Sequence, residues 1–255
     1  MIWHLIESGP QTGRFNMKFD LELAKSCPDG EAFFRLFKWN PFCISIGANQ
    51  LFEDINIQKA STNGIDVVKR PTGGRAILHA EEITYSVVIP LSFGLSPKEI
   101  YSKISLALLK GLSKYNLKLT SAELENIQPN FPALLKESSG VLCFASTAKS
   151  EVKFDSKKII GSAQRKINNV VLQHGSILCG TFHQQLAEYL NKSEDEINKL
   201  KNDLKNSTTE ISTILNDEVD YDKLSQSLIK GFQEEFQIEF TDSETVDKVI
   251  NFELN

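Results

Sequence analysis

Two side chains in this chain have the types and surroundings that acyl transfer needs. Cys143 sits in Leu142-Cys143-Phe144, between the polar run Glu137-Ser138-Ser139-Gly140 and the small residues Ala145-Ser146-Thr147-Ala148. A thiol at a loop–strand junction is reachable, and a cation, helix terminus or base beside it would convert it to the thiolate that attacks a carbonyl. Lys158 stands in a strand-like stretch just before Gly161-Ser162-Ala163-Gln164, whose small side chains leave room for a substrate chain. An ammonium there would stabilise a thiolate, donate to a thioester oxygen and pass a proton. Read singly, each has a plainer meaning: Val141, Leu142 and Phe144 suit a buried structural thiol, and Lys158 suits a surface charge.

A third stretch, Arg70-Pro71-Thr72-Gly73-Gly74-Arg75-Ala76-Ile77-Leu78-His79, places two glycines between two arginines and a histidine. Gly73 and Gly74 let a ligand approach the main chain closely, framed by Arg70, Arg75 and His79. A glycine-containing hairpin turn is the alternative. The spacing is not that of a GxxxxGK phosphate loop, so it does not imply nucleotide binding. His174, in Gln173-His174-Gly175, alternates with apolar neighbours and reads as a structural group as readily as a base; His79 is equally open. Cys27, Cys43, Cys143 and Cys179 form no CxxC pair or zinc-type spacing, so each reads as a reduced thiol, with Cys179 a rival nucleophile near a strand end.

The elements that must position these groups follow from periodicity. Alternation or short apolar runs predict strands over Trp3–Ser8, Ala32–Phe37, Cys43–Gly47, Asp66–Arg70, Ile83–Ile89, Leu117–Thr120, Val152–Phe154, Lys158–Ile160 and Asn169–Leu178. Gly9-Pro10-Gln11-Thr12-Gly13 reads as a turn. Helical spacing runs over Phe15–Ser26 and Pro97–Tyr115, the latter started by Ser96 as N-cap and Pro97 at the first helical position. A short helix follows Phe52-Glu53-Asp54-Ile55-Asn56, and 127–139 reads as a loop. Beyond Phe182 the pattern turns helical: Phe182–Leu190, Ser193–Leu204, Thr208–Leu215, Tyr221–Phe236 and about 242–252, with a short strand over Phe236–Phe240. The sum is an α/β chain, a mainly antiparallel or mixed sheet with helices and a helical acidic C-terminal part.

At 255 residues, with 41% hydrophobic and 24% charged side chains, the chain can bury a large core. No apolar run approaches a membrane span, and Met1-Ile2-Trp3-His4-Leu5-Ile6-Glu7 lacks the basic start of a signal peptide, which places the expected protein in the cytoplasm. Residues 193–255 carry 16 acidic and 6 basic residues, leaving 17 acidic and 22 basic in residues 1–192. A mildly basic front portion would steer an acidic partner, or is simply a lysine-rich solvated face. It lacks the basic stripe of a nucleic-acid binder.

Taken together, the motifs resemble the lipoate–protein ligase and octanoyltransferase family, which is related to biotin protein ligases. The resemblance is carried by Arg70 to His79, Thr84-Tyr85-Ser86, Gly161-Ser162-Ala163-Gln164 and Leu172-Gln173-His174-Gly175-Ser176, with Asn16-Met17, Ser45-Ile46-Gly47 and Gln50 also fitting, over about residues 1–180. Gly73-Gly74-Arg75-Ala76, with Ala80 after His79, is similar to the cysteine-dependent octanoyltransferases of bacilli rather than the ATP-dependent ligases, which carry Gly-Gly-Gly and His-Asp. Cys143-Phe144 matches that group's nucleophile position and Lys158 its active-site lysine. Ala145-Ser146-Thr147-Ala148-Lys149 departs from the Asp-Ala-Pro-Ser type expected next.

The resemblance implies one biotin/lipoate ligase-like catalytic domain over 1–255, with a motif-bearing core over 1–182 and an acidic helical part over 183–255. It implies a tunnel for an eight-carbon chain and Arg70, Gly73, Gly74, Arg75, His79, Gly161, Ser162, Ala163, His174 and Gly175 around the substrate. The implied reaction moves an octanoyl group from acyl carrier protein, through a Cys143 thioester, to a lysine of a lipoyl-carrier protein such as the glycine-cleavage H protein. No metal or other cofactor, nucleic acid or membrane takes part. Three alternatives stay open: an amidotransferase drawing octanoyl from H protein for other lipoyl domains; a lipoate ligase using ATP and Mg; and a carrier-binding protein without turnover.

Overall fold

The computed structural model describes residues 1–125 and 150–241; Cys143, the loop expected over 127–139 and the helix expected over 242–252 lie outside the described residues. The described strands are β1 (Ile2–Gln11), β2 (Glu31–Trp39), β3 (Cys43–Ile46), β4 (Asp66–Lys69), β5 (Ile77–His79), β6 (Glu82–Pro90), β7 (Glu123–Leu124), β8 (Val152–Phe154), β9 (Lys157–Ile167), β10 (Val170–Leu178) and β11 (Phe240–Thr241). The described helices are α1 (Gly13–Ser26), α2 (Ile57–Thr62), α3 (Pro97–Tyr115), α4 (Glu194–Ser207), α5 (Ile211–Leu215) and α6 (Tyr221–Phe236). Among the described residues an eight-stranded sheet runs β11-β1-β2-β6-β10-β9-β8-β7, and a three-stranded sheet runs β4-β3-β5. The large sheet is antiparallel except where β1 lies parallel to β2 and β11, the mixed, mainly antiparallel arrangement expected.

Period-2 alternation sorts the large sheet's side chains onto two faces. Phe34 and Leu36 of β2 and Ile83, Tyr85 and Val87 of β6 join Ile104 and Leu108 of α3 and Leu228 and Phe232 of α6 in one apolar core. The two helices approach closely: a Cβ on Gly111 would lie 2.7 Å from Leu228 Cα. The opposite face is covered by α1, where Phe19 and Leu23 meet Phe33, Val88 and Leu172. Ser96 starts α3 with a full capping box, its hydroxyl accepting from Glu99 N–H. Among the described residues no helix is long and apolar enough to cross a membrane.

Four elements depart from the sequence reading. Gly9-Pro10-Gln11 is not a turn but the end of β1, because pairing with β2 resumes past a bulge between Glu7 and Pro10, and Gly9 takes the left-handed backbone (φ 61°) that absorbs it. Leu117–Thr120 is a turn of 3-10 helix (Leu117–Ser121) rather than a strand. There the Asn116 side chain accepts from Lys118 N–H and Thr120 donates to the Leu117 carbonyl, so local bonds win over β propensity. Phe182–Leu190 is helical as read, but over Phe182–Tyr189 and of 3-10 form. Phe236 still belongs to α6, so the last strand shrinks to Phe240–Thr241. The short strand β5, read as part of the glycine loop, pairs antiparallel with β3.

Candidate active site

The two sheets meet at a cavity. Its lining comes from β3 (Ser45), β5 (Ile77 and His79), β6 (Thr84), β9 (Gly161, Ser162 and Ala163) and β10 (His174, Gly175 and Ser176), with Met17, Trp39 and Arg70. Gly175 opposes Ser162 across the β10–β9 ladder, and a Cβ on it would lie 2.3 Å from the Gly161 carbonyl oxygen. Only glycine leaves the strands this close with space beside them.

Buried polar side chains surround the cavity, and they are hydrogen-bonded to one another as burial requires. His79 Nε2 lies 2.7 Å from Ser45 Oγ and Nδ1 2.8 Å from Glu82 Oε1. Trp39 stacks on the His79 ring at 4.1 Å and donates to Thr84 Oγ1, which donates to Glu82. Burial pushes the Glu82 carboxyl up most, but His79, Thr84 and Ser176 together hold it below its usual value. Arg70 donates to the Ser45 carbonyl and hydroxyl, and to the Gly73 and Arg75 carbonyls, so it ties the glycine loop to β3. His174 Nε2 lies 2.5 Å from Thr72 Oγ1, and Nδ1 faces Asp20 Oδ2 at 3.7 Å. Burial is the main influence on His174 and lowers its pKa despite Asp20, which favours the neutral imidazole. Asp20 in turn accepts from Arg35 and Ser86, each at 2.8 Å.

Lys158 is not the surface charge its position alone implied. It is 1% exposed, and its Nζ lies 2.9 Å from Oε2 of Glu151, itself 3% exposed. The other oxygen of that carboxylate accepts from Ser162 N–H at 3.4 Å. The Lys158 side chain therefore runs along β9 toward the cavity, and one carboxylate separates its ammonium from a lining residue. Lys158 does not itself line the cavity, nor do Gly73, Gly74 and Arg75, which form the loop that Arg70 holds. Arg70, His79, Gly161, Ser162, Ala163, His174 and Gly175 do.

The described cysteines make poor nucleophiles. Burial pushes the Cys179 thiol up to about 12 and the Cys43 thiol well above its usual value. Burial, with Glu31 and Asp29, raises Cys27 to about 12. Sequence reasoning passed over Asp20, Arg35, Glu82 and Glu151. Arg35 carried a signal, since one guanidinium between Phe34 and Leu36 in an apolar strand must find a buried carboxylate. Glu82, three residues after His79, carried a fainter one.

Residues 12–233 match the model of the lipoyl protein ligase A/B catalytic domain. Octanoyltransferase LipM of Clostridioides difficile is 33% identical over 254 residues, covering 96% of this chain and 91% of the relative. Octanoyltransferase LipM of Staphylococcus aureus is 32% identical over 244 residues, covering 93% and 88%. Among solved structures, a lipoate-protein ligase A bound with ATP superposes with a TM-score of 0.76 at 20% identity, covering 99% of this chain and 94% of that one. That likeness establishes the fold alone.

Proposed function

The chain belongs to the lipoyl protein ligase A/B catalytic domain family and is an octanoyltransferase, an acyltransferase of lipoate biosynthesis, and from that premise we propose that it carries the octanoyl group on Cys143, from acyl carrier protein to a lysine of a lipoyl-carrier protein, foremost the glycine-cleavage H protein. The Cys143 thiolate attacks the donor thioester and expels the carrier's thiol. Lys158 polarises the carbonyl, and the acceptor amine then displaces Cys143 to leave an amide. Two steps suit two bulky carriers that cannot share one site. A thioester is already activated, so the reading calls for no nucleotide, metal or other cofactor, and it sets the reaction in the cytoplasm.

The observation that carries the reading is the Lys158–Glu151 pair at the cavity's edge: a buried amine 2.9 Å from a carboxylate that also accepts from Ser162 N–H. The raised thiols of Cys27, Cys43 and Cys179 support the choice of Cys143. Arg70, His79, Gly161, Ser162, Ala163, His174 and Gly175 line the cavity that would take the octanoyl group, and Gly73, Gly74 and Arg75 border it through the Arg70 loop.

Purified protein mixed with octanoyl-acyl carrier protein, without nucleotide, should gain the mass of one octanoyl group, and Cys143→Ala protein should not. Transfer by Cys143→Ala at the wild-type rate sinks the mechanism. Octanoyl-H protein as donor in the same assay separates an amidotransferase, and pyrophosphate release from ATP and lipoate separates a ligase.

A further inference from the structure

A second group of buried polar side chains, none of which lines the cavity, gathers where α4 gives way to α5. The three linking residues Thr208, Thr209 and Glu210 are 2%, 8% and 2% exposed. Two neighbours in the 3-10 helix Phe182–Tyr189 hold this link. His183 Nε2 lies 2.9 Å from Thr208 Oγ1, whose own hydrogen goes to the Leu204 carbonyl at 2.7 Å, so the imidazole donates. Gln184 donates to Glu210 Oε1 and Thr213 to Oε2, each at 2.9 Å. The link in turn meets β9 at Lys158. Thr208 bridges to Lys158 in parallel, and Thr209 N–H donates to the Lys158 carbonyl at 3.0 Å. Burying this much polarity costs free energy that an apolar link of the same shape would not. What it adds is one fixed position for the backbone, since each bond has a set partner and direction. The Lys158 side chain depends on that position. Its Nζ ends a flexible four-carbon stem, held at the far end by Glu151 at 2.9 Å and at the near end by the Lys158 backbone.

We infer that His183 and Thr208 serve octanoyl transfer: their hydrogen bond fixes the α4–α5 link, and the link sets the Lys158 backbone and so aims its Nζ at the acyl carbonyl. This rests on the reading that Lys158 polarises that carbonyl. His183 and Thr208 are positioning residues that act through Lys158, from a part of the chain that carries none of the glycine motifs.

The test measures octanoyl transfer to a lipoyl-domain lysine from octanoyl-acyl carrier protein or octanoyl-H protein, whichever donor the wild type uses. Thr208→Val keeps the shape of the side chain and removes the hydroxyl. Its kcat should fall about 10-fold, inside the roughly 100-fold range of a misplacement near 1 Å, while KM stays within about twofold of wild type. Thr208→Ser returns the hydroxyl and should return kcat. His183→Leu fills the space of the ring without a donor and should lower kcat likewise, which keeps the inference open to refutation if Thr208→Val protein does not fold. Gly111→Ala, strained at the α3–α6 contact, reports general loosening and should keep kcat per folded molecule. The inference is overturned by a wild-type kcat in whichever of Thr208→Val and His183→Leu melts cooperatively, by a Thr208→Ser protein as slow as Thr208→Val, or by an equal fall in Gly111→Ala. Each of these leaves the cluster as packing alone. Transfer by Lys158→Ala at the wild-type rate is a separate result, and it removes the role read for Lys158 itself.

Discussion

Along β6, Ile83, Tyr85, Val87 and Ile89 face α3 and α6, whereas Glu82, Thr84 and Ser86 face the small sheet and α1. Every residue of the strand is buried. β10 divides similarly, Val171 and Ile177 entering the apolar core while His174 and Ser176 line the cavity. Alternation of this kind ordinarily marks a sheet with one wet face. Here the polar half is dry, so each polar side chain needs a partner: Asp20 for Arg35, Glu82 for His79, Thr72 for His174. The apolar face is held by shape, the polar face by complementary charge and hydrogen bonds. A buried polar row on an alternating strand therefore marks the candidate site.

The largest effects expected set the two faces against each other. Phe232→Ala on the apolar side should cost about 3–5 kcal/mol in chemical denaturation. Asp20→Asn, which strands Arg35, should cost about the same at pH 7. Their pH dependence should differ. Burial raises Asp20 most, but Arg35 and His174 overcome it and hold the carboxyl below its usual value. A carboxyl lowered by folding stabilises fully above its unfolded pKa, about 3.9, and that stabilisation fades as pH falls through the folded value. The gap between wild type and Asp20→Asn should thus narrow below about pH 4 while the Phe232→Ala gap stays level; parallel curves would refute the distinction. Next in size, Gly111→Ala forces its Cβ toward the Leu228 backbone and should cost about 1–3 kcal/mol. Transfer per folded molecule should survive, as read by melting and activity together. Smallest, Cys179→Ala should cost about 1 kcal/mol and leave the octanoyl transfer rate alone; a lost rate would make Cys179 the nucleophile.

Helices α3 and α6 were legible to the residue at both ends, because Ser96 with Pro97 marks one start and each carries an uninterrupted apolar stripe. Strands were legible as existing but less so in extent: β1 runs on past Gly9, and β11 shrinks to two residues, since pairing with distant chain decides where a strand stops. Leu117–Ser121 failed because Asn116 and Thr120 offered the backbone local bonds that periodicity does not register. At the site, family resemblance picked out the lining glycines and both histidines, but not the carboxylates behind them. Glu82 and Asp20 matter through partners on other elements, and a single sequence records no such pairing. Glu151 was hidden for the same reason, its meaning fixed only when β8 folds against β9 and brings Lys158 alongside.

The parallel ladder joining Trp3 to Phe240 ties together two strands that lie 237 residues apart among the described residues. Until residue 240 clears the ribosome, that flank of β1 has nothing to bond to, and the Trp3 indole waits uncovered for the rings of Phe232 and Phe236. Completion of the sheet thus waits on residue 240, and a nascent chain halted before that point would expose a sticky edge to its neighbours on the polysome.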